Sequence, residues 1–365
     1  MTERQVRRTA EHVLSAGSED VDAPSRRPPR GAGEGGSRTR SGASASGSGR
    51  AEEAARRRAE RREERIDAGA RELERRLADL VREGLAGRAA ERPGDWAGTA
   101  ARMVDAQAPG LAARVRDLGA LPVSEPGRLL AECATAHLLA RAWLGREALP
   151  PALAAVVRAR VGLPAPAVGP AVRDLWSVLS QRDLPSLDGR LTTRRIWLHG
   201  HNTGDSVLLL DFGGGGRLPA LTLPVGFRID AEVRRRPGAD GPRADLGERF
   251  GEPDVDPSVP TGVSTEEALD AYGSALRRDP WLDSVPVVLG PVIPVPTPLG
   301  WHVRDADGAH ALPVTGAGGR PRPGLWRLAA VSGGAPVTVF GECGHRGLTP
   351  LTVWDPVTGE PTPLT

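Results

Sequence analysis

The spacing of apolar residues changes along the chain, from a helical period in the first half to strand-like alternation after Arg194. The first half carries an apolar stripe at intervals of three, four and seven residues. This stripe consists of Ile66, Leu73, Leu77, Leu80, Val81 and Leu85. In the second half, short alternating runs are separated by turn residues. The pattern predicts an α+β protein, with an N-terminal helical bundle followed by an antiparallel β-rich region that contains one helix.

Changes in pattern and composition divide the chain into four regions. We predict a short helix in residues 1–17, a disordered Ser/Gly/Arg/Pro linker in 18–50, a charged helix and helical bundle in 51–183, and a β-rich domain in 190–365. The linker lacks large apolar side chains after residue 22, so it cannot bury enough surface to offset its ordering entropy. Pro and Gly separate the predicted helices of the bundle, and the last of them spans Val172–Leu179.

Three features of the β-rich region lead to specific predictions. Ser264 followed by Glu267 is typical of a helix N-terminus, and the helix should run to about Arg277. The segment Val285–Val295 is apolar but contains three prolines, which donate no backbone hydrogen bond, so we expect an edge or extended segment and not a central strand. Leu325–Val331 is predicted to open a C-terminal β-meander.

Composition narrows the class of protein. The net charge is +2, which argues against a general nucleic-acid surface. Residues 1–50 hold nine Arg against six acidic residues, so weak nucleic-acid binding through this arm stays an alternative. Two widely spaced cysteines, the lack of an apolar leader and the lack of a long apolar run predict a cytoplasmic protein that does not span a membrane.

Few residues have a spacing that suggests chemistry. His199 and His201 would share one face of a strand and could chelate a metal if Asp205 or Asp211 joined them. Cys343 and His345 could supply half of a zinc site, but no second pair of ligands accompanies them. We therefore expect no catalytic residue, no metal and no cofactor, with a metal-dependent enzyme at His199 and His201 as the alternative.

The proline-broken segment offers a candidate surface for a protein partner. An extended apolar segment with an aromatic neighbour can dock another protein, and it can equally lie over the core as an edge strand. The candidate docking residues are Val287, Val288, Val292, Ile293, Val295 and Trp301.

Three stretches resemble a known family. They are Arg102–Val115, Leu191–Leu198 with the following Asn202-Thr-Gly204, and Pro336–Glu342. Together with the charged helix before the bundle, they resemble the region downstream of the zinc finger in actinobacterial SWIM zinc-finger family proteins. Arg8–Leu14 is similar to the segment that precedes the finger, but residues 23–50 contain no Cys. The resemblance thus implies a member without its finger, and it covers about residues 51–365.

The resemblance also implies a function. It suggests a non-catalytic protein-interaction or accessory module, because the family's zinc and binding finger are missing from this sequence. Proteins of this family are often encoded near MoxR-type AAA ATPases and von Willebrand A proteins, so the resemblance implies either as the partner. Since a fold can host many activities, this expectation needs support from a site.

Overall fold

The structure, a computed structural model, describes residues 44–85, 93–121, 125–163, 169–185, 191–236, 242–298, 300–315 and 323–364. The chain divides into two compact units, Met1–Glu60 and Arg61–Thr365. The predicted helix in residues 1–17 and most of the predicted linker lie outside the described residues. Within them are seven α-helices and twelve strands. The α+β class, with a helical region before a β-rich one, is confirmed.

Five helices make up the N-terminal half. They are α1 (Ser44–Glu83), α2 (Pro93–Asp105), α3 (Pro109–Gly119), α4 (Pro126–Leu144) and α5 (Pro151–Val161). Four of them begin at proline, which suits a first helical position because no intrahelical partner exists there for a backbone N–H. Helix α1 starts at Ser44, so the prediction of disorder up to residue 50 is wrong for its last seven residues. Extending a helix that has already formed avoids the cost of nucleation, so a segment with Ser and Gly can join it.

The bundle core forms where the predicted apolar stripe of α1 meets the other helices. Ile66, Leu73, Leu77 and Leu80 are buried there, whereas Val81 is half exposed. Trp143 of α4 is fully buried and donates from Nε1 to Asp67 of α1 at 2.8 Å.

The predicted helix at Val172–Leu179 is wrong. These residues belong to strand β1, which pairs with a strand on each side. Val172, Leu175, Trp176 and Leu179 fit a helical period, but Trp176–Ser180 is a continuous buried run, and periodicity alone does not distinguish such a buried strand from a helix. Pairing with a strand on each side favours the strand over the helix in this segment. The helical region therefore ends at Val161.

The strands of the first half of the β-rich region form a closed sheet, the first barrel. They are β1 (Ala171–Pro185), β2 (Leu191–Gly200), β3 (Ser206–Gly214), β4 (Phe227–Arg235), β5 (Arg243–Arg249) and the short β6 (Asp254–Val255). The order is β1-β2-β3-β5-β4, and β4 pairs back to β1. All these pairings are antiparallel except the short parallel contact between β3 and β5.

The remaining strands form a second barrel with the same strand order. They are β7 (Ser284–Thr297), β8 (Gly300–Asp305), β9 (Ala311–Val314), β10 (Val337–Gly344), β11 (Gly347–Trp354) and the short β12 (Pro361–Pro363). The order is β7-β8-β9-β11-β10, with β10 paired back to β7 and a parallel contact between β9 and β11. Two barrels with one connectivity therefore follow each other, of the five-stranded Greek-key type to which the OB-fold belongs.

The segment Val285–Val295 is extended, as one of the two predicted alternatives states, but it is not an edge strand. This segment lies in β7, inside the second barrel, and it pairs with β10 from Ser284 to Val292 and with β8 from Val292 to Thr297. Only Val292 is in register with both neighbours. Each half of the strand pairs mainly with one of these neighbours. A proline, which has no backbone N–H to donate, is therefore tolerated where that half has no paired strand on its other side.

Helices flank the second barrel at two places. Helix α6 (Thr265–Leu276) precedes it and carries the predicted capping box, in which Ser264 and Glu267 bond to each other's backbone N–H. Helix α7 (Pro323–Ser332) connects β9 to β10, so the predicted strand at Leu325–Val331 is wrong. Leu325 and Leu328 are buried at helical spacing while Trp326 between them is exposed, as an amphipathic helix requires.

The bundle and the second barrel are joined through the loop before β7. Trp281 is buried in the bundle core and donates from Nε1 to the Thr135 carbonyl at 3.2 Å. Arg160 of α5 binds the carboxylate of Asp279 through Nε at 3.1 Å and through Nη2 at 2.5 Å. Arg114 of α3 donates to the Trp281 carbonyl at 2.8 Å.

The two barrels are joined by an apolar contact with a charged centre. Leu179, Trp197 and Leu208 of the first barrel pack against Phe340, Leu351 and Trp354 of the second. Buried Glu342 of β10 accepts hydrogen bonds from Arg182, Arg195 and Trp197, at 2.8, 2.7 and 3.0 Å. Burial would raise the pKa of Glu342, but the two guanidinium groups outweigh it and hold the pKa below its ordinary value.

Candidate functional site

A cleft of about 280 Å³ opens on the outer face of the first barrel. Its floor is formed by side chains of β1 and β2, and its walls by the segment 256–261 and by Trp354 of the second barrel. The polar residues that line it are Ser177, His199, His201, Asp256, Ser258 and Thr261. Ser177 is in register with His199 across β1 and β2, so both side chains point to the same face.

A tight turn after β2 fixes the position of His201. The buried carboxylate of Asp174 accepts from the backbone N–H groups of Asn202 and Thr203 and from the Thr203 hydroxyl. Gly200 is required here because a Cβ would lie 2.5 Å from Asp174 Oδ2 and 2.3 Å from Thr203 Oγ1. The turn directs the His201 side chain into the cleft.

Ser177, His201 and Asp256 meet in the floor of the cleft. The Ser177 hydroxyl donates to Asp256 Oδ2, and its oxygen lies 2.7 Å from His201 Nε2. The same His201 nitrogen lies 3.5 Å from Asp256 Oδ2. Because the single hydroxyl proton of Ser177 goes to Asp256, the contact with His201 requires a proton on Nε2 that the Ser177 oxygen accepts.

The carboxylate of Asp256 is held in its ionised form. Burial would raise its pKa, but hydrogen bonds from Ser177 and Ser258 outweigh this effect and lower the pKa below its ordinary value. Ser258 contributes both its hydroxyl, at 2.5 Å, and its backbone N–H, at 3.0 Å. Asp256 therefore fastens the segment 256–258 to the outer face of the first barrel.

His199 lies beside this group. Burial and the neighbouring His201 both lower the pKa of His199, which favours the neutral imidazole near neutral pH. Its Nδ1 lies 3.3 Å from Ser206 Oγ. Two adjacent imidazoles at the mouth of a cleft would suit a metal only if further ligands joined them.

The expected carboxylates do not join the two histidines. Asp205 binds Arg235 at 2.7 Å, and Asp211 accepts from the backbone N–H groups of Phe212 and Leu221. In the part of the chain that the structure describes, no three His, Cys, Asp or Glu side chains gather into a metal-binding group.

Cys343 and His345 have different surroundings. Cys343 is buried in the core of the second barrel, and burial raises the pKa of its thiol, which disfavours the thiolate that zinc requires. His345 Nε2 accepts from Arg346 Nε at 3.1 Å, and its Nδ1 lies 3.4 Å from the Tyr272 hydroxyl. Each residue therefore has a structural role in place of a shared ligand role.

The candidate docking residues of β7 and β8 are divided between core and surface. Val287 and Val292 belong to the buried core of the second barrel, so they cannot contact a partner and this part of the docking prediction is wrong. Val288 packs against the contact between the barrels. Ile293 and Val295 are half buried, and half-buried Trp301 packs edge to face on Trp326 at 5.2 Å between ring centroids. Val287 and Val292 are unavailable to a partner because they lie on the inward side of β7. The side chains of alternate residues on a barrel strand fill the barrel interior.

Sequence reasoning missed two members of the cleft. Ser177 was assigned to a helix, which hid its position opposite His199. Asp256 lies far from both histidines along the chain, so no local spacing connects it to them. The signal available for Asp256 was its Asp-Pro-Ser context, typical of a carboxylate that bonds to the backbone two residues ahead.

No helix in the described part of the chain is long and apolar enough to cross a membrane. No curated protein and no solved structure matches the chain significantly.

One family comparison gives a result. Residues 61–161 match the family model of the SWIM-associated four-helix bundle domain. The match begins within α1 and ends at the last residue of α5, so it covers the bundle and stops before the first barrel. Whether a finger is missing is not decided by this match and stays a prediction. The bundle of this chain is thus similar to the SWIM-associated four-helix bundle domain over residues 61–161, as the resemblance in its sequence implied.

Proposed function

We propose that the chain is a non-catalytic accessory module of the SWIM zinc-finger family that binds a protein partner. The observation that carries the proposal is the geometry of Ser177, His201 and Asp256. In a hydrolytic triad, the acid contacts one histidine nitrogen and the nucleophile contacts the other. Here both groups approach the same nitrogen, and the serine proton goes to the acid. Such a group fastens a chain segment and has no path for moving a proton from serine through histidine.

The way the parts are joined supports a scaffold role. Buried polar contacts at Asp279 and Glu342 and a buried tryptophan at position 281 join the bundle, the second barrel and the first barrel. Contacts of this kind fix relative geometry because each group is costly to leave unpaired. A surface held in this way can present residues from several elements to a partner.

The family resemblance suggests the kind of partner. We propose a MoxR-type AAA ATPase or a von Willebrand A protein, with the chain as an accessory of a chaperone-like system in the cytoplasm. Nucleic acid is a poor candidate for the first barrel, because Arg173, Arg235 and Arg236 bind carboxylates of the chain itself.

Co-purification tests the proposal. The full chain, tagged, would be expressed with a MoxR-type AAA ATPase and with a von Willebrand A protein from the same genome. We expect one of them to be retained, and to be retained equally by the Ser177→Ala variant. In parallel, the purified chain would be assayed with activated ester and peptide substrates. The proposal is rejected if neither candidate is retained, or if the chain turns over a substrate and Ser177→Ala abolishes that turnover.

A further inference from the structure

The polar groups in the floor of the cleft have already donated the hydrogens whose direction the structure settles. The hydroxyls of Ser177 and Ser258 both donate to the carboxylate of Asp256, and His201 donates from Nε2 to the Ser177 oxygen. A neutral imidazole with its hydrogen on Nε2 carries a lone pair on Nδ1, and a hydroxyl oxygen that donates can still accept. The floor therefore offers mainly acceptors to a molecule in the cleft.

His199 can add a further acceptor to this floor. Burial and the neighbouring His201 lower the pKa of His199, so its ring is neutral near neutral pH. Its Nδ1 lies 3.3 Å from the Ser206 hydroxyl oxygen. When the ring hydrogen is on Nδ1 it can donate to Ser206, which leaves the lone pair of Nε2 for a ligand. A ligand rich in N–H donors selects this tautomer.

The carboxylates at the cleft are not neutralised by arginine. Asp256 is the only carboxylate among the lining residues, and these residues include no arginine. Asp174 adds a second negative charge in the turn that positions His201. Both carboxylates accept hydrogen bonds from uncharged hydroxyl and amide groups, and neither pairs with an arginine of the described part of the chain. Since charges act more strongly in a cleft with low-dielectric walls, this arrangement attracts a cation.

The size and the walls of the cleft limit the ligand to a small one. Its volume of about 280 Å³ is below the roughly 300–1,000 Å³ of sites for drug-sized ligands, so it suits one head group on a short stem. The apolar side chains that line it are Val178, Leu179, Val259, Pro260 and Trp354. Such walls accommodate the methylene groups of a stem, and an indole is a favourable neighbour for a cation.

We propose that this cleft binds one organic cation, a guanidinium or ammonium group on an aliphatic stem. The cation comes either from a free amine or from an arginine or lysine side chain of another protein. Guanidinium and ammonium groups carry several N–H donors and no acceptor, which matches a floor of acceptors beside negative charge. The inference goes beyond the proposed function, because the cleft binds such a cation whichever protein is the partner.

Other classes of ligand match the cleft less well. An anion would meet the carboxylate of Asp256 and find no arginine among the lining residues to bind it. A metal ion would need a third side-chain ligand beside His199 and His201, and no such group of three occurs in the described part of the chain. The donor-rich organic cation is the class that both the hydrogen bonds and the charge favour.

Titration of the full chain with small molecules tests the site. The cations are butylguanidinium, butylammonium and N-acetyl-arginine amide, and butylurea is the neutral isostere of butylguanidinium. We expect saturable binding of at least one cation, with a dissociation constant on the order of 1 mM, followed by NMR of the histidine ring signals. Butylurea should bind at least about 10-fold more weakly. Absence of cation binding up to roughly 50 mM, or equal binding of butylurea, overturns the proposal.

The same titration distinguishes the two sources of the cation. Tighter binding of N-acetyl-arginine amide than of butylguanidinium supports a side chain of another protein, because only that probe carries backbone amides beside the stem. Equal or weaker binding of N-acetyl-arginine amide supports a free amine. Failure of co-purification with both candidate partners would reject the proposed function and leave this result unaffected.

Two variants at Thr261 locate the binding in the cleft. Thr261 lines the cleft, is exposed, and lies outside the group of Ser177, His201 and Asp256. Thr261→Arg places a guanidinium of the chain itself at the cleft and should weaken binding of the cations at least about 10-fold. Thr261→Gln also lengthens the side chain but adds no charge, and it should bind the cations like the wild type. Equal binding by the two variants, with circular dichroism showing both folded, overturns the assignment to this cleft.

Discussion

The two barrels share one strand order, yet they differ in the segment that connects their third and fourth strands. In the first barrel, the connection from β3 to β4 contains no helix in residues 215–226, and the side chain of Arg194 holds it. Arg194 donates to the carbonyl of Leu221 at 3.1 Å and to the Thr222 hydroxyl at 2.6 Å, while Asp183 binds its other nitrogens. In the second barrel, helix α7 fills the corresponding place with Leu325 and Leu328.

The difference shows that the strand order does not dictate what closes the barrel. A guanidinium with five donors can satisfy several carbonyls of an irregular loop, which an apolar side chain cannot do. An amphipathic helix satisfies its own backbone and needs only apolar packing. We therefore expect the connection of the first barrel to depend on a polar network as well as on buried Leu223, and the helix of the second barrel to depend on buried volume alone.

The largest effect is expected where the two barrels meet. Replacing Glu342 by Ala leaves Arg182 and Arg195 close together and largely buried without their shared partner, with side chains only 12 and 25% exposed. We expect a loss of about 4 kcal/mol in the free energy of unfolding. Denaturant unfolding followed by tryptophan fluorescence measures it, with Glu360→Ala in the turn before β12 as the exposed control. A loss below about 1 kcal/mol would show that the contact between the barrels is held by its apolar residues alone.

The helix that closes the second barrel should be sensitive to lost volume. Leu328 is fully buried, so Leu328→Ala removes methyl groups from a packed core and leaves a cavity. We expect a loss of about 3 kcal/mol in unfolding free energy. Trp326→Ala, on the same helix but 63% exposed, is the matched control and should cost less than about 1 kcal/mol. Similar losses in both variants would contradict the assignment of inward and outward faces of α7.

The hydrogen-bond network of Arg194 in the first barrel should be less sensitive to substitution than the packed helix of the second barrel. Arg194→Ala removes the donors to Leu221 and Thr222 and leaves Asp183 without its guanidinium partner. The Asp183 side chain is 35% exposed, so water can replace part of what is lost. We expect a loss of about 2 kcal/mol, measured by denaturant unfolding. Arg217→Ala, an exposed arginine in the same connection, should leave stability within about 0.5 kcal/mol of the wild type.

Whether a prediction from the sequence was correct depended on what decides the structure at that point. Some elements are decided by signals within a few residues, and others by contacts between distant segments. Helix α6 was predicted from Ser264 and Glu267, because a capping box is complete within four residues. The bundle was predicted from the apolar stripe on α1 and from the Pro and Gly residues that separate its helices. The prediction of a strand at Leu325–Val331 failed because a short apolar run fits a strand as well as a helix. Only packing against the barrel decides which of the two forms.

The candidate site was harder to predict than the fold. His199 and His201 were found because their spacing on one strand is a local signal. Ser177 and Asp256 lie 79 residues apart, and their contact depends on the register of β1 with β2 and on the path of the chain after β6. Similarly, the pairing of β7 on both sides depends on β10, which lies more than 40 residues downstream. One sequence carries no signal for such contacts.

The smallest expected effect is a pH dependence that belongs to the first barrel. The hydrogen bonds from Arg194 lower the pKa of Asp183 below its ordinary value, and they outweigh the opposite effect of burial. A carboxyl group with a lowered pKa in the folded state stabilises that state fully above its unfolded pKa of about 3.9, and the contribution is lost as the pH falls through the folded pKa. The difference in stability between wild type and Arg194→Ala should therefore be constant from about pH 7 to pH 5 and shrink below about pH 4. Unfolding measured at several pH values for both proteins tests this, because the carboxyl groups that do not interact with Arg194 contribute equally and cancel. A difference that stays constant down to pH values near 3 would mean that Arg194 acts through the carbonyls of the loop and not through Asp183.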